Sequence, residues 1–239
     1  MRSILIGCSS LFLGLALGQE TVSTPSADQI IEKSIVSTGG RDAMKKMSSL
    51  VGVGSLEIVA MGASASFEVY MKAPDKRLTV TVVDGYGEIK RGYDGKTGWS
   101  SEPQNGLVDL AGDELAAIKR ESAFNGELRW KDLYAKAEVT GKGKVGARDC
   151  WIVKLTPGEG RPETRYYDAE TFQLAKVISS TDAGDVPVEL LDYRDMGNGV
   201  KSPYTMKITQ PNIGELVIRF KDYKPNAEID DAKFVKPKP

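Results

Sequence analysis

The sequence predicts an α+β chain that is mostly antiparallel sheet, with helices covering the sheet's apolar side. Three observations point there. From Phe67 to Trp99, Phe67, Val69 and Met71 alternate with Glu68, Tyr70 and Lys72, the period of two of a strand with one buried face. Ala73-Pro74-Asp75, Asp84-Gly85 and Asp94-Gly95 interrupt that pattern, so this stretch reads as a meander of three strands and the start of a fourth. Helical spacing appears in only two places, near the N-terminus and between residues 113 and 134, and alternation resumes from Ala137 onward.

Met1 to Gly18 reads as a signal peptide. Arg2 supplies the positive n-region, Leu11 to Leu17 the short apolar run, and Ala16-Leu17-Gly18 the small residues before the cut. Leu5-Ile6-Gly7-Cys8 also spells a lipoprotein-type box, but the better apolar run lies after that cysteine. Residues 19–239 then form one domain. Ser26 with Gln29 forms a capping box, and Ile30, Ile31, Ser34, Ile35 and Thr38 follow on one helical face that Gly39-Gly40 ends. Arg41 to Met47 reads as a second short helix. Ser49 to Ala60 is the first strand, with Leu56, Ile58 and Ala60 on one face. Gly52 and Gly54 extend that face, which predicts a bend or a close approach of backbone. Ser101 to Asn105 reads as a loop. Asp113 can cap a helix whose face carries Leu115, Ile118 and Ser122 and which Asn125-Gly126 ends, and Leu128, Leu133 and Tyr134 suggest another turn of helix. Strands resume at Glu138–Lys144, Arg148–Thr156, Glu163–Asp168, Leu174–Thr181, Val186–Arg194, Tyr204–Gln210 and Gly214–Tyr223. Ile229 to Phe234 reads as a turn and one last short strand.

Composition narrows the chemistry. The net charge is -1, so no electrostatic case exists for nucleic acid. The chain has no histidine, which removes the commonest general base and the commonest metal ligand. After the cut Cys150 is the only cysteine, so no intramolecular disulfide and no cysteine metal site can form. Gly141, Gly143 and Gly146 match the dinucleotide-binding glycine pattern, but the residues that follow read as strand, not helix, so a hairpin is the better reading. Gly62-Ala63-Ser64-Ala65-Ser66 lacks the closing glycine of a nucleophile elbow, and no histidine could complete a triad. Nothing points to an enzyme, a metal or a cofactor.

What the sequence offers instead is apolar surface. Leu56, Ile58, Phe67, Val69, Met71, Leu78, Val80 and Val82 are expected on one sheet face, and the later strands offer Leu190, Met206, Ile208, Leu216, Ile218 and Phe220. With Trp99 and the helical residues Leu115 and Ile118 they are the candidate lining of a cavity between a curved sheet and a helical lid.

Three motifs resemble the LolA/LolB-like family of outer-membrane lipoprotein-sorting proteins. They are Val69-Tyr70-Met71-Lys72-Ala73-Pro74, Asp94-Gly95-Lys96-Thr97 with Trp99, and Asp231-Ala232-Lys233-Phe234 with Pro237. The resemblance implies an open, incomplete β-barrel of about 11 strands, with N-terminal and mid-chain helices over its concave face. It also implies a periplasmic, non-enzymatic carrier whose apolar cavity holds a lipid or the acyl chain of a lipoprotein. The implied partner is that lipid or acylated protein, bound by a monomer. The alternative is an envelope-stress sensor that uses the same fold to bind another envelope protein. The arginine with which the family's carrier latches strand to lid falls at Ala73, and Phe172 replaces a glycine in the later hairpin. The resemblance therefore carries the fold and the cavity, and not the latch.

Overall fold

The structure, a computed structural model, describes residues 24–238. The signal-peptide reading and the Cys8 box lie outside the described residues. The chain starts with α1 (Ala27–Thr38) and α2 (Arg41–Lys45). Ser26 Oγ accepts from the Gln29 amide at 3.2 Å while Gln29 Oε1 accepts from the Ser26 amide at 2.9 Å, so the capping box forms as expected. Ile30, Ile31 and Ile35 are fully buried, each contributing about 1.5–3 kcal/mol from removal of apolar surface from water.

One antiparallel sheet follows. Its strands are β1 (Ser49–Ile58), β2 (Ala63–Lys72), β3 (Lys76–Val83), β4 (Gly87–Tyr93), β5 (Gly98–Glu102) and β6 (Gly106–Asp109), then β7 (Lys136–Val145), β8 (Arg148–Thr156), β9 (Glu163–Asp168), β10 (Leu174–Thr181), β11 (Gly184–Asp195), β12 (Lys201–Gln210) and β13 (Gly214–Pro225). The spatial order is β6-β5-β4-β3-β2-β1-β13-β12-β11-β10-β9-β8-β7. Each strand pairs with its chain neighbour except where β13 returns beside β1, and β6 and β7 do not pair, so the sheet is an open barrel. Among the described residues there are 13 strands, not about 11. The stretch read as a loop at 101–105 is the end of β5 and a tight turn, and β6 was invisible because Gly106-Leu107-Val108-Asp109 is too short to alternate.

The insertion between β6 and β7 holds α3 (Gly112–Glu121), a 3-10 turn (Gly126–Arg129) and α4 (Trp130–Leu133). Asp113 does not cap α3: Ala111 occupies the N-cap, and the Asp113 carboxylate instead accepts from Arg161 Nε at 2.6 Å. The helix stops at Glu121, short of Asn125-Gly126. The C-terminal segment ends in a 3-10 turn (Asp231–Phe234) and not in a strand.

Register decides which side chains share a face. Phe67 lies opposite Gly54 of β1 and Thr81 of β3, and Val69 opposite Gly52 and Thr79. Their inward partners on β3 are therefore Thr79, Thr81 and Val83, while Leu78, Val80 and Val82 point outward. The single apolar face expected through β3 is thus corrected. A β2–β3 turn that pairs Lys72 with Lys76 puts odd-numbered residues inside on both strands, whereas the apolar residues of β3 are mostly even.

Both faces carry a core. On the inner face α1, Met44, Met47 and the segment Phe124–Tyr134 pack against Leu56, Phe67, Val69, Val153, Leu155, Tyr167, Ile218 and Phe220. On the outer face the C-terminal segment lays Ile229 and Phe234 over Leu78 and Trp99. Trp99 Nε1 donates to the Phe234 carbonyl at 3.0 Å, and Lys72 and Lys76 both pair with Asp231, at 2.8 and 2.6 Å. The two strand glycines act as their spacing predicted. A Cβ on Gly54 would fall against the Arg219 carbonyl and 2.8 Å from Phe220 Cα, and one on Gly52 would meet Tyr223 and Val69 at 2.9 Å.

Candidate functional site

The inner face is filled at one end only. One register row, Leu56–Ile218–Met206 with Ala65 beside it, joins the core under the helices, and all but Met206 are buried. The next row toward the loop Val59–Gly62 is different. Arg165 lies opposite Val177, Val177 opposite Val188, Val188 opposite Ile208, Ile208 opposite Leu216, and Leu216 opposite Ile58. Every member of this row keeps partial contact with solvent. Antiparallel pairing thus aligns five apolar side chains in a trough that crosses β10 to β1 and stops at one guanidinium. Strand spacing of about 4.8 Å puts about 19 Å between Val177 and Ile58, across four spacings.

Helix α3 bridges the two ends of the curved sheet. Its Leu115 and Ile118 pack on Tyr93 and Leu110, and a Cβ on Gly98 would meet Ile118 at 2.9 Å. From its other side Arg120 Nη1 donates to the Glu159 carbonyl at 2.8 Å, and Arg161 of the β8–β9 loop pairs with Asp113 and with Asp182. Ala73 offers no side chain for a latch. The tie between insertion and sheet runs the other way: the Phe124 amide and Arg129 Nη2 both donate to the Pro74 carbonyl at 3.0 Å, and Arg129 also pairs with Asp75.

The sequence-predicted lining residues separate into four places. Leu56, Phe67, Val69 and Ile218 are core beneath the helices. Ile58, Met71, Met206 and Ile208 are half-buried on the inner face, with Ile58 and Ile208 in the trough. Leu115 and Ile118 belong to the small α3 cluster. Leu78, Val80 and Trp99 lie on the outer face under the C-terminal segment, and Val82 is 40% exposed on that face. Val177 and Val188 were missed. Their alternation was readable, but placing them beside Ile208 needs the order in which strands pair, which no single strand encodes.

The trough ends in a polar group. Arg165 Nε donates to Glu163 Oε1 at 2.6 Å and its Nη2 to the Tyr134 hydroxyl at 3.0 Å, and both charged side chains are 15% exposed. Burial opposes the Arg165 charge, but Glu163 and the surrounding tyrosines hold its pKa well above the ordinary arginine range. Tyr134 is pushed up chiefly by burial, and so is Tyr193, whose hydroxyl donates to the Leu174 carbonyl at 2.8 Å.

Two clefts lie elsewhere. One of about 410 Å³ runs along the outer face between Leu78, Val80 and Trp99 and the C-terminal Lys233, Val235 and Pro237, with Glu68, Glu88 and Lys90 on its wall. The other, about 920 Å³, is an open polar cleft among Ser48, Ser49, Lys72, Asn226 and Asp231. The first mixes apolar and charged side chains on its walls, and the second is mostly polar. No cluster of three or more metal-ligating side chains occurs among the described residues, and Cys150 is buried beside Val145 and Ala175. The glycine pattern at 141–146 lies in the β7–β8 hairpin.

No family model and no curated protein matches the chain. Solved structures do. A DUF1329 family protein from Desulfovibrio piger is 13% identical over 89% of this chain and 98% of its own, with a TM-score of 0.59. A putative outer membrane lipoprotein-sorting protein domain from Vibrio parahaemolyticus is 11% identical over 87% and 97%, with a TM-score of 0.60. A LolA superfamily protein from Nitrosomonas europaea is 13% identical over 89% and 99%, with a TM-score of 0.57. The class is therefore an open antiparallel half-barrel with helices on its inner face. More particularly, the chain shares the fold of these three proteins. At these identities the likeness is one of fold.

Proposed function

We propose that this protein is an exported, non-enzymatic carrier that holds the acyl chain of a lipid or lipoprotein along its inner trough, working in the periplasm as a single domain after loss of residues 1–18. The observation that supports it most is the half-exposed row Val177–Val188–Ile208–Leu216–Ile58. A row about 19 Å long matches an extended chain of about 16 carbons, taking about 1.25 Å per carbon from bonds of about 1.5 Å. A chain of about 16 methylenes gains roughly 13 kcal/mol gross on leaving water, at about 0.8 kcal/mol each. Leaving a bilayer gains almost none of this, because the starting medium is equally apolar. Loading from a membrane then depends on the helices that flank the trough, which are tied to the sheet at Pro74 and at Glu159 by hydrogen bonds and exposed ion pairs.

The test is native mass spectrometry of the protein purified from cell envelopes without delipidation. Co-purifying species with acyl-chain masses are expected. A protein that arrives empty and takes up no fluorescent fatty acid overturns the reading.

A further inference from the structure

Two arginines on the inner face are short of partners. The registers of β3 with β2 and β4 set Arg77 between Met71 and Tyr93, and Thr79 between Val69 and Arg91. Arg77, Thr79, Arg91 and Tyr93 therefore share the inward face, and Ser100 of β5 joins them opposite Arg91. Arg77 and Arg91 are diagonal neighbours, about 7 Å apart, close enough for two long side chains to hold one group between them. Their contacts agree with this facing. Arg77 Nη1 donates to Met71 Sδ at 3.7 Å, and Arg91 Nη1 stands 3.7 Å from Glu121 Oε2 at the end of α3.

Arg77 is half-buried, and among the described residues the Met71 sulfur is the only hydrogen-bond partner of its guanidinium. A thioether is a weak acceptor, and most of the guanidinium N–H groups are left over. A charge drawn out of water without a carboxylate is costly. The acidic side chains nearby in sequence are already taken: Asp75 pairs with Arg129, and Asp94 accepts from the Lys96 and Thr97 amides of its own turn. That leaves Glu121, which at 3.7 Å from Arg91 is beyond hydrogen-bond length. Burial holds Arg77 below the ordinary arginine range, and the opposing pull of Glu121 does not restore it. Two guanidiniums thus share one loosely placed carboxylate. An anion would supply the missing acceptors.

We propose that Arg77 and Arg91 form an oxyanion site on the inner face at the end of α3, where their N–H groups donate to the oxygens of a phosphate or carboxylate. Planar guanidinium forks match both groups. The site lies on β3 and β4, outside the row that crosses β10 to β1, so it stands or falls separately from the trough.

Calorimetric titration of the purified protein at neutral pH and low salt tests it with inorganic phosphate, dodecyl phosphate, dodecanoate and dodecanol. At least one of the two anionic amphiphiles should bind about tenfold more tightly than dodecanol, the size of one charge-assisted hydrogen bond. Arg91→Gln should bring that ratio to about one. Glu121→Gln removes the competing carboxylate from a partly exposed position and should tighten the anion about threefold, a gain that misfolding cannot mimic. Arg77→Met should abolish the preference and, with no anion present, raise the urea midpoint, because the unpaired charge is gone. If R77M does not fold, R91Q and E121Q decide. Inorganic phosphate that binds to wild type and not to R91Q supports the site with a free ion as its ligand; binding of an anionic amphiphile alone supports it with a head group. Anions that bind no better than dodecanol while phosphate does not bind, or a preference that survives in R91Q, overturn the site. Dodecanol binding is unaffected in that case, and the trough remains.

Discussion

Ile208→Glu isolates the trough from the core. Ile208 sits between Val188 and Leu216 in the middle of the row, partly buried at the margin of the inner-face core it packs against. A chain crossing one strand spacing of about 4.8 Å lays about four carbons over it. Losing their burial costs about 3 kcal/mol at about 0.8 kcal/mol per methylene, or about two orders of magnitude in affinity. The unfolding free energy should fall by only about 1–2 kcal/mol, because the carboxylate can still reach water. Lys207→Glu is the control: it changes the next residue of β12, on the opposite face, and should leave affinity unchanged. The assay is displacement of a fluorescent alkyl probe alongside urea unfolding of each variant. Affinity within threefold of wild type in I208E would refute the trough. A stability loss above about 4 kcal/mol would show that Ile208 is ordinary core.

Other outcomes follow from the two-faced core. Phe234→Ala should cost about 3–5 kcal/mol and shift Trp99 emission to the red, because the ring of Phe234 is fully buried and its carbonyl accepts from the indole. Gly54→Ala should cost about 1–3 kcal/mol in urea unfolding, since the added methyl meets the Arg219–Phe220 backbone of β13. Asp231 has its pKa lowered to about 2 by hydrogen bonds from Lys72 and Lys76. Its stabilisation is therefore complete above its unfolded pKa near 4 and is lost as pH falls through about 2. The stability difference between wild type and Asp231→Asn should be constant above that upper limit and vanish at the lower one. A difference unchanged across that window would remove the ion pair from the account.

Much of the fold was legible because local chemistry and tertiary structure agree. Ser26 and Gln29 started the first helix, and Gly52 and Gly54 marked where β13 approaches β1. The later strands appeared within a few residues of their bounds because each is framed by turn residues. What failed was long-range. Leu78, Val80 and Trp99 alternate as well as Phe67 and Val69, yet they face the other way, since the C-terminal Ile229 and Phe234 give the outer face a core of its own. Alternation identifies a buried face without saying which side of the sheet it lies on. Asp113 looked like a cap and serves instead as the partner of Arg161, a residue 48 positions away. The polar end of the trough was not visible either, because Tyr134 and Arg165 meet only once the insertion folds onto β9.

The central claim is that a hydrocarbon chain lies on the inner row and not in the outer cleft. Photolabelling with an alkyl chain that carries a diazirine near its end tests this most directly, with the modified peptides mapped by mass spectrometry. Label on the peptides holding Val177, Val188, Ile208 and Leu216 is the predicted result. Label concentrated on Leu78, Val80, Trp99 and Val235 would place the chain on the outer face and contradict the account.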